Sequence, residues 1–458
     1  MNFKLRKTFV FFIFSSTLFL SYYLGVAFYD ITNGIDFGKY IYNLNLFYQS
    51  SSIYNSQGTF YFWTIYKFSG LDQQMFSDQA FSTLVNNRLQ LVNFLYYLIG
   101  LSGILFLYIR KNFKIENILI SLTILNFFPA CFYLRLTMKP EIMAFALLPW
   151  LLLFCDFYLK ETTTLKTFLL SIFLSIVLTI KASITGMILL VLVLFYKEEI
   201  KNLRNHFVLI FETFISFVLL NIYIFFLTEK WLFARQVEID ESLSSKWDNT
   251  ATFSFFTNID FKNLYENPFK HIHSESFFSI TLLDTIGDYF TFFWKHEEDG
   301  NFFAKDVIKF TENFLIQEYI SEYISIIFTF IFYFIILALY FKGISNKEFL
   351  LLPFCGLIVL ILNSLGFPNK NFDPTTGDLF KVHYYAFLIS ISFSFLLNYF
   401  FQKIRYVKFL SLALIPVFLL TIGFPKQISE ESLNGLITKM ENTNICKYLD
   451  YFYESECA

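Results

Sequence analysis

Charge is what this 458-residue chain has least of. Lys, Arg, Asp and Glu make up 16% of it, while 56% is hydrophobic and 22% aromatic; soluble domains carry about a quarter charged residues. That imbalance excludes an ordinary soluble globule. No basic arm and no interleaving of basic with aromatic residues is present, so nucleic acid is not an expected partner. The net charge of −2 says nothing about partners. No internal repeat or low-complexity tract is visible. The five cysteines form no metal-ligand pattern. Cys131, Cys155 and Cys355 fall in or near apolar stretches and read as packing residues. Cys446 and Cys457 share a polar tail where a disulfide is chemically permitted, and they read as free thiols.

What the chain has in excess is arranged in blocks of about 17 to 23 apolar residues, the length a helix needs to cross roughly 30 Å of hydrocarbon. Such blocks must be helical, because lipid offers no partner for a bare backbone amide. The predicted spans are Thr8–Phe28, Leu89–Ile109, Asn117–Leu134, Glu141–Leu159, Leu165–Ile180, Ile184–Tyr196, Phe207–Leu227, Tyr319–Phe341, Glu348–Gly366, His383–Phe401 and Val407–Gly423. The expected fold class is therefore an all-α polytopic membrane protein of about eleven transmembrane helices. The first block follows Lys4, Arg6 and Lys7 but runs too long for a signal h-region and has no small-x-small site before Tyr29, so it reads as an uncleaved anchor.

Cytoplasmic loops carry the excess of Lys and Arg. With the N-terminus inside, segments 1–7, 110–116, 160–166, 197–206, 342–347 and 402–408 hold 16 of the 35 Lys and Arg in about 44 residues. The opposite side holds the other 19 in about 212 residues, roughly a quarter of that density. The N-terminus is thus expected in the cytoplasm and the C-terminus outside. Residues 1–423 then form one transmembrane domain with large outer loops at 29–88 and 228–318, followed by an outer tail, 424–458. The polar run Glu238–Thr250 and the tail look like water-exposed chain. Phe277–Trp294 is apolar but carries Asp284, Gly287 and Asp288 in its middle; it is expected to lie on the outer interface, since carboxylates at bilayer depth are costly.

Only the outer face is elaborated, and several ionisable residues land at outer helix ends. Asp30 and Asp36 follow the first span. Arg135, Lys139 and Glu141 share a tight turn, Lys181 sits between the fifth and sixth spans, and Lys381 and His383 open the tenth. Singly, such cations commonly snorkel to headgroups, and Lys139-Pro140-Glu141 has the composition of a plain helix start. Together they suit a phosphate held at the membrane surface, with Arg for bidentate contact and Lys for point charge. Arg135, Lys139, Lys181 and Lys381 fit a polyprenyl-phosphate or -diphosphate group. Sugar transfer from it to a hydroxyl needs a carboxylate base. Asp36, eight residues past the first span, is the candidate, with Asp30 next. Outer aromatics such as Tyr61, Trp63 and Trp294 are candidates for stacking on sugar faces. His296-Glu297-Glu298-Asp299 reads as a solvated turn, because adjacent side chains do not converge on one ion.

This layout resembles the GT-C superfamily of membrane glycosyltransferases. Ile35-Asp36-Phe37-Gly38-Lys39-Tyr40 is similar to their first-loop motif, an acid with an aromatic a few positions on. Gln57-Gly58-Thr59-Phe60-Tyr61-Phe62-Trp63 resembles first-loop sequence of bacterial members. Lys139-Pro140-Glu141 with Ala144-Phe145-Ala146-Leu147-Leu148 resembles their Arg/Lys-Pro-Glu turn and following helix, and Lys181-Ala182-Ser183 a Lys-Pro/Ala-Ser/Thr element. The resemblance implies a catalytic acid in the first outer loop and a polyprenyl-phosphate sugar donor. It also implies a cell-envelope glycan or lipid acceptor and a place in the inner membrane. The usual first-loop acidic pair is absent and so is a large soluble C-terminal domain. No cofactor is implied and no divalent metal is assigned.

Two rival readings remain. A lipid or polysaccharide transporter should carry ionisable or helix-breaking residues at mid-membrane. Here the buried-looking acids, Asp156 and Glu212, lie toward cytoplasmic helix ends. A non-catalytic assembly subunit predicts no clustered ionisable residues at all. The topology is open to direct measurement. A reporter active only outside the cytoplasm should work when fused after Lys67, Asp260 or Asn434, and stay silent after Lys114, Lys201 or Arg405. Activity at Arg405 would mean that Phe277–Trp294 crosses the membrane.

Overall fold

The computed structural model describes residues 3–28, 59–72, 83–200, 206–228, 253–266, 268, 273, 276–286, 312–366, 382–404 and 406–422. These contain no β-strand. The α-helices are α1 (Phe3–Phe28), α2 (Thr59–Phe68), α3 (Thr83–Arg110), α4 (Ile115–Leu125), α5 (Pro129–Leu136), α6 (Glu141–Lys160), α7 (Thr164–Leu178) and α8 (Ala182–Ile200). They continue with α9 (Phe207–Thr228), α10 (Phe253–Thr257), α11 (Phe261–Glu266), α12 (Phe277–Asp284), α13 (Glu312–Phe341), α14 (Leu352–Gly366), α15 (Ala386–Lys403), α16 (Val407–Leu410) and α17 (Leu414–Ile422).

Among the described residues six helices are long and apolar enough to cross a bilayer: α1, α3, α6, α9, α13 and α15. The pair α4 and α5, bent by 65°, makes a seventh if it is one span. Helix covers all eleven predicted stretches, but α7 and α14 have 15 residues each, about 22 Å of rise, short of the hydrocarbon thickness. The break between α4 and α5 follows from Pro129. Proline has no N–H for the helix ladder and pushes the preceding residue out of helical geometry; Phe128 is extended at φ −64°, ψ 122°. α3 begins six residues before the predicted Leu89, and its Asn86 and Gln90 are buried in protein although Thr83, Leu84 and Arg88 are exposed. The Gln90 amide donates to Asn86 Oδ1 at 3.0 Å and to the Gly25 carbonyl of α1 at 3.2 Å.

Burial sorts the helices. α15 sits centrally, packed against α4, α5, α6 and α14. It is 78% buried although it is the least apolar of the six. Ser390, Ser392, Ser394 and Asn398 of α15 have no exposure, and Asn398 donates to Ser121 Oγ of α4 at 2.6 Å. The α1, α9 and α13 spans are each 22% buried or less, and they turn Phe11, Phe12, Phe19, Phe214, Phe226, Phe330 and Phe341 outward. An apolar exterior around a more polar core inverts the soluble pattern. It is the pattern of a multi-pass membrane protein.

The two ends of the bundle are laced separately. At one, Lys408 pairs with Glu116 at 3.1 Å and Lys111 with Asp156 at 2.9 Å. The Tyr196 hydroxyl also donates to Asp156 at 2.9 Å. Segments 110–116 and 402–408, both predicted inside, thus meet. At the other end α12 packs under α13, whose Ser325 hydroxyl donates to the Leu283 carbonyl at 2.7 Å. Ser321 reaches the Thr421 carbonyl of α17 at 2.8 Å. The expected interfacial helix Phe277–Trp294 is therefore, within the described residues, an eight-residue helix buried against protein. Its Asp284 has no exposure; Gly287 and Asp288 lie outside the described residues. The predicted tail, 424–458, lies outside the described residues.

The tightest seam is between α3 and α6, where small residues let backbones approach, as is common between membrane helices. A Cβ on Gly100 would overlap the Phe145 ring and stand 2.9 Å from the Phe145 carbonyl oxygen. The ring can rotate but the carbonyl cannot. Gly100→Ala should therefore destabilise the protein by about 1–3 kcal/mol through overpacking, read as a lowered midpoint of thermal unfolding in detergent. An unchanged midpoint would mean that the two helices separate freely.

Candidate functional site

The turn from Thr137 to Pro140 reverses the chain between α5 and α6. Helix α5 ends at Thr137, extended at φ −112°, ψ 140°, and Pro140 caps the start of α6. A turn at membrane depth leaves helix-end carbonyls bare. Asn93 of α3 covers them. Its amide donates to the carbonyls of Thr137 at 2.7 Å and Arg135 at 3.1 Å. Its Oδ1 accepts from the Tyr61 hydroxyl of α2 at 2.8 Å. One side chain thereby holds α2 onto the turn. Tyr61 has no exposure, so it is an anchor and not the sugar-stacking platform expected of it. Trp63 packs on Phe60 and Tyr223. Trp294 lies outside the described residues.

The sequence candidates separate into three groups. Glu141 and Lys181 meet, with Lys181 Nζ 3.6 Å from Glu141 Oε1. Lys181 occupies the break between α7 and α8, where the Thr185 amide takes its carbonyl at 2.8 Å. Its ammonium also lies 3.6 Å from the centroid of the Tyr384 ring, a cation–π contact. Arg135 is directed elsewhere. Its guanidinium donates to Ser21 Oγ at 3.0 Å and the Ser21 carbonyl at 2.5 Å, and it lies over the rings of Phe132 and Tyr97. Those contacts fasten the end of α1, which packs closely enough that a Cβ on Gly25 would stand 2.8 Å from Leu136. Lys139 is buried in the same turn. Asp30, Asp36 and Lys381 lie outside the described residues, as does the side chain of His383; its backbone belongs to the 3-10 turn Val382–Tyr385.

Glu141 is 2% exposed and Lys181 13%. Among the described residues neither Glu141 oxygen accepts a hydrogen bond, so Lys181 is an ionic neighbour without a hydrogen bond. The carboxylate sits in the first turn of α6, where the helix dipole favours it. Tyr61 lies within its electrostatic reach. The site is therefore assembled from the starts of α6 and α8 and from the turn leading into α15. It joins a cation to a buried carboxylate, with Tyr61 of α2 nearby.

Residues that the sequence did not single out complete it. Tyr384 carried no signal beyond its neighbours. Its partner Tyr385 is fully buried against Gly356 of α14, where a Cβ would overlap the Tyr385 ring. Asn93 lies inside a predicted span, and a polar amide in an apolar run was its only mark. Glu322 of α13 is as deeply buried as Asp284, again an acid inside an apolar run. No protein-family model, no curated protein and no solved structure matches this chain.

Replacing Asn93 by Leu keeps the volume and strips the turn of its donor. About 1–3 kcal/mol should be lost for each buried group left without a partner. Hydrogen exchange should rise in Thr59–Phe68 as α2 undocks. Tyr61→Phe, which removes one hydroxyl, should cost less, about 0.5–1.5 kcal/mol. Equal losses in the two variants would show that Asn93 does not bridge.

Proposed function

We propose that the chain is a GT-C-type glycosyltransferase of the inner membrane, crossing it eleven times with the N-terminus in the cytoplasm and the C-terminus outside. It moves a hexosyl or pentosyl group from a polyprenyl-phosphate donor to a cell-envelope glycan or lipid at the outer face. The observation that carries this reading is the Lys181–Glu141–Tyr384 group at one end of the bundle. Lys181 lies at the start of α8, and α6 and α15 begin beside it. Helix N-termini carry partial positive charge and bare N–H groups, which favour a phosphate.

In this mechanism Lys181, partly exposed, takes the phosphate of the donor, and Lys139 adds charge from the neighbouring turn. Arg135 acts by holding α1 to the turn. The acceptor hydroxyl attacks the anomeric carbon while the bond from that carbon to the phosphate oxygen breaks. Asp36, or failing it Asp30, takes the hydroxyl proton, and the lipid phosphate leaves with its charge held by Lys181. The chemistry needs no cofactor, since the phosphate is itself the leaving group.

A transporter reading is favoured by one observation, the 65° break between α4 and α5, because carriers often unwind helices at mid-membrane. Here the break is filled. Phe128 stacks on Phe393 at 4.3 Å between ring centroids and packs against Phe328 and Phe418. Asn126 accepts from the Tyr97 hydroxyl at 2.8 Å. A plug of rings is a packed core and not a passage.

Purified protein should bind decaprenyl phosphate, and Lys181→Ala should weaken that binding at least about tenfold, the usual loss of a charged partner. Asp36→Asn should lower sugar release by about 10² to 10⁴ with little effect on donor binding. A protein that carries the lipid between leaflets without releasing sugar would sink the enzyme reading.

A further inference from the structure

The Lys181 site contains a carboxylate whose hydrogen-bonding capacity is unused. Glu141 is 2% exposed, and among the described residues neither oxygen has a donor. A helix start accounts for an acid at this position but does not require its burial, since an exposed glutamate also gains from the dipole. Removing a carboxylate from water is unfavourable unless donors replace the water. One ammonium at 3.6 Å replaces only part of it.

We propose that Glu141 recognises the sugar of the donor. Its oxygens accept hydroxyl protons from the ring, first from the hydroxyl on the carbon beside the phosphate-bearing carbon, while Lys181 holds the phosphate. The assignment rests on the donor reading above and adds the part of the substrate that reading leaves open. The ammonium and carboxylate are immediate neighbours, 3.6 Å apart, so adjacent groups of one ligand can reach both once the pair separates. Lys181 and Tyr384 keep partial exposure while Glu141 has almost none, so entry to the carboxylate leads past that pair. As the ligand seats, the ammonium exchanges Glu141 for phosphate, and Glu141 exchanges the ammonium for hydroxyls. A sugar without that hydroxyl leaves a buried acceptor unpaired, the situation in which polar sites discriminate most strongly. Glu141 is thus a specificity-determining residue in contact with substrate, distinct from the base.

The test uses the full chain in lipid nanodiscs and measures binding of bare decaprenyl phosphate. It then measures a panel of decaprenyl-phosphate hexoses and pentoses, and the 2-deoxy form of the tightest. At least one glycosylated lipid should bind about tenfold or more tighter than the bare lipid, the worth of hydrogen bonds to a charged group. The 2-deoxy sugar should lose most of that gain. Glu141→Gln should bind the bare lipid at least as well as the wild type and prefer the sugar far less. No preference anywhere in the panel overturns the assignment. So does a preference that survives either the deoxy sugar or a folded Glu141→Gln. Should that variant fail to fold, the deoxy sugar on the wild-type protein decides alone. If no lipid phosphate binds, bare or glycosylated, the donor reading falls and takes this assignment with it.

Discussion

The end of the bundle that carries Lys181 and Glu141 depends on one amide. A chain that reverses inside a membrane must find donors for the carbonyls that the turn exposes, because lipid supplies none. Pro140 makes the need sharper, since it brings no N–H of its own. Asn93 meets it from α3 by capping the carbonyls of Arg135 and Thr137 and by accepting the Tyr61 hydroxyl. Once those bonds are made, the turn has one geometry, α6 starts at Pro140, and Glu141 is placed in its first turn. α2 is brought to the same point through Tyr61. Everything assigned to the site follows from where that turn is held.

Around it the physics is that of a bundle solvated by lipid on the outside and by itself within. α15 carries serines and an asparagine with no exposure; Ser390 finds the Ala386 carbonyl of its own helix, and Asn398 also bonds across helices, to Ser121 of α4. The peripheral helices α1, α9 and α13 bury a few polar groups, among them Ser21, Asn221 and Ser325, and otherwise present phenylalanine to the surroundings. Among the described residues Lys408–Glu116 and Lys111–Asp156 close one end of the bundle and Lys181–Glu141 lies at the other. The first two are short and the third is not. Pairs at 2.9–3.1 Å are hydrogen-bonded latches; a pair at 3.6 Å around a buried carboxylate is a poorer bond, and a better fit to something that must open for a ligand.

The amino-acid sequence by itself determined that the chain is helical and membrane-embedded, since 17 to 23 apolar residues in a row leave few alternatives in lipid. Helix falls within each of the eleven stretches, of which six, or seven with the bent pair, are long and apolar enough to cross a bilayer among the described residues. Arg135, Lys139, Glu141 and Lys181 lie at helix ends. The sequence did not determine what those ends touch. Arg135 and Lys181 look alike in the sequence, each a cation beside a turn. Only packing turned Arg135 onto Ser21 and Lys181 toward Glu141 and Tyr384. The break at Phe128 was legible in Pro129, but its closure by Phe393 and Phe418 was not, because those rings come from helices hundreds of residues later in the chain. Hydropathy is a local property, so the sequence shows it directly. Which polar group meets which is decided by helices distant in sequence, and that is settled only when the bundle closes.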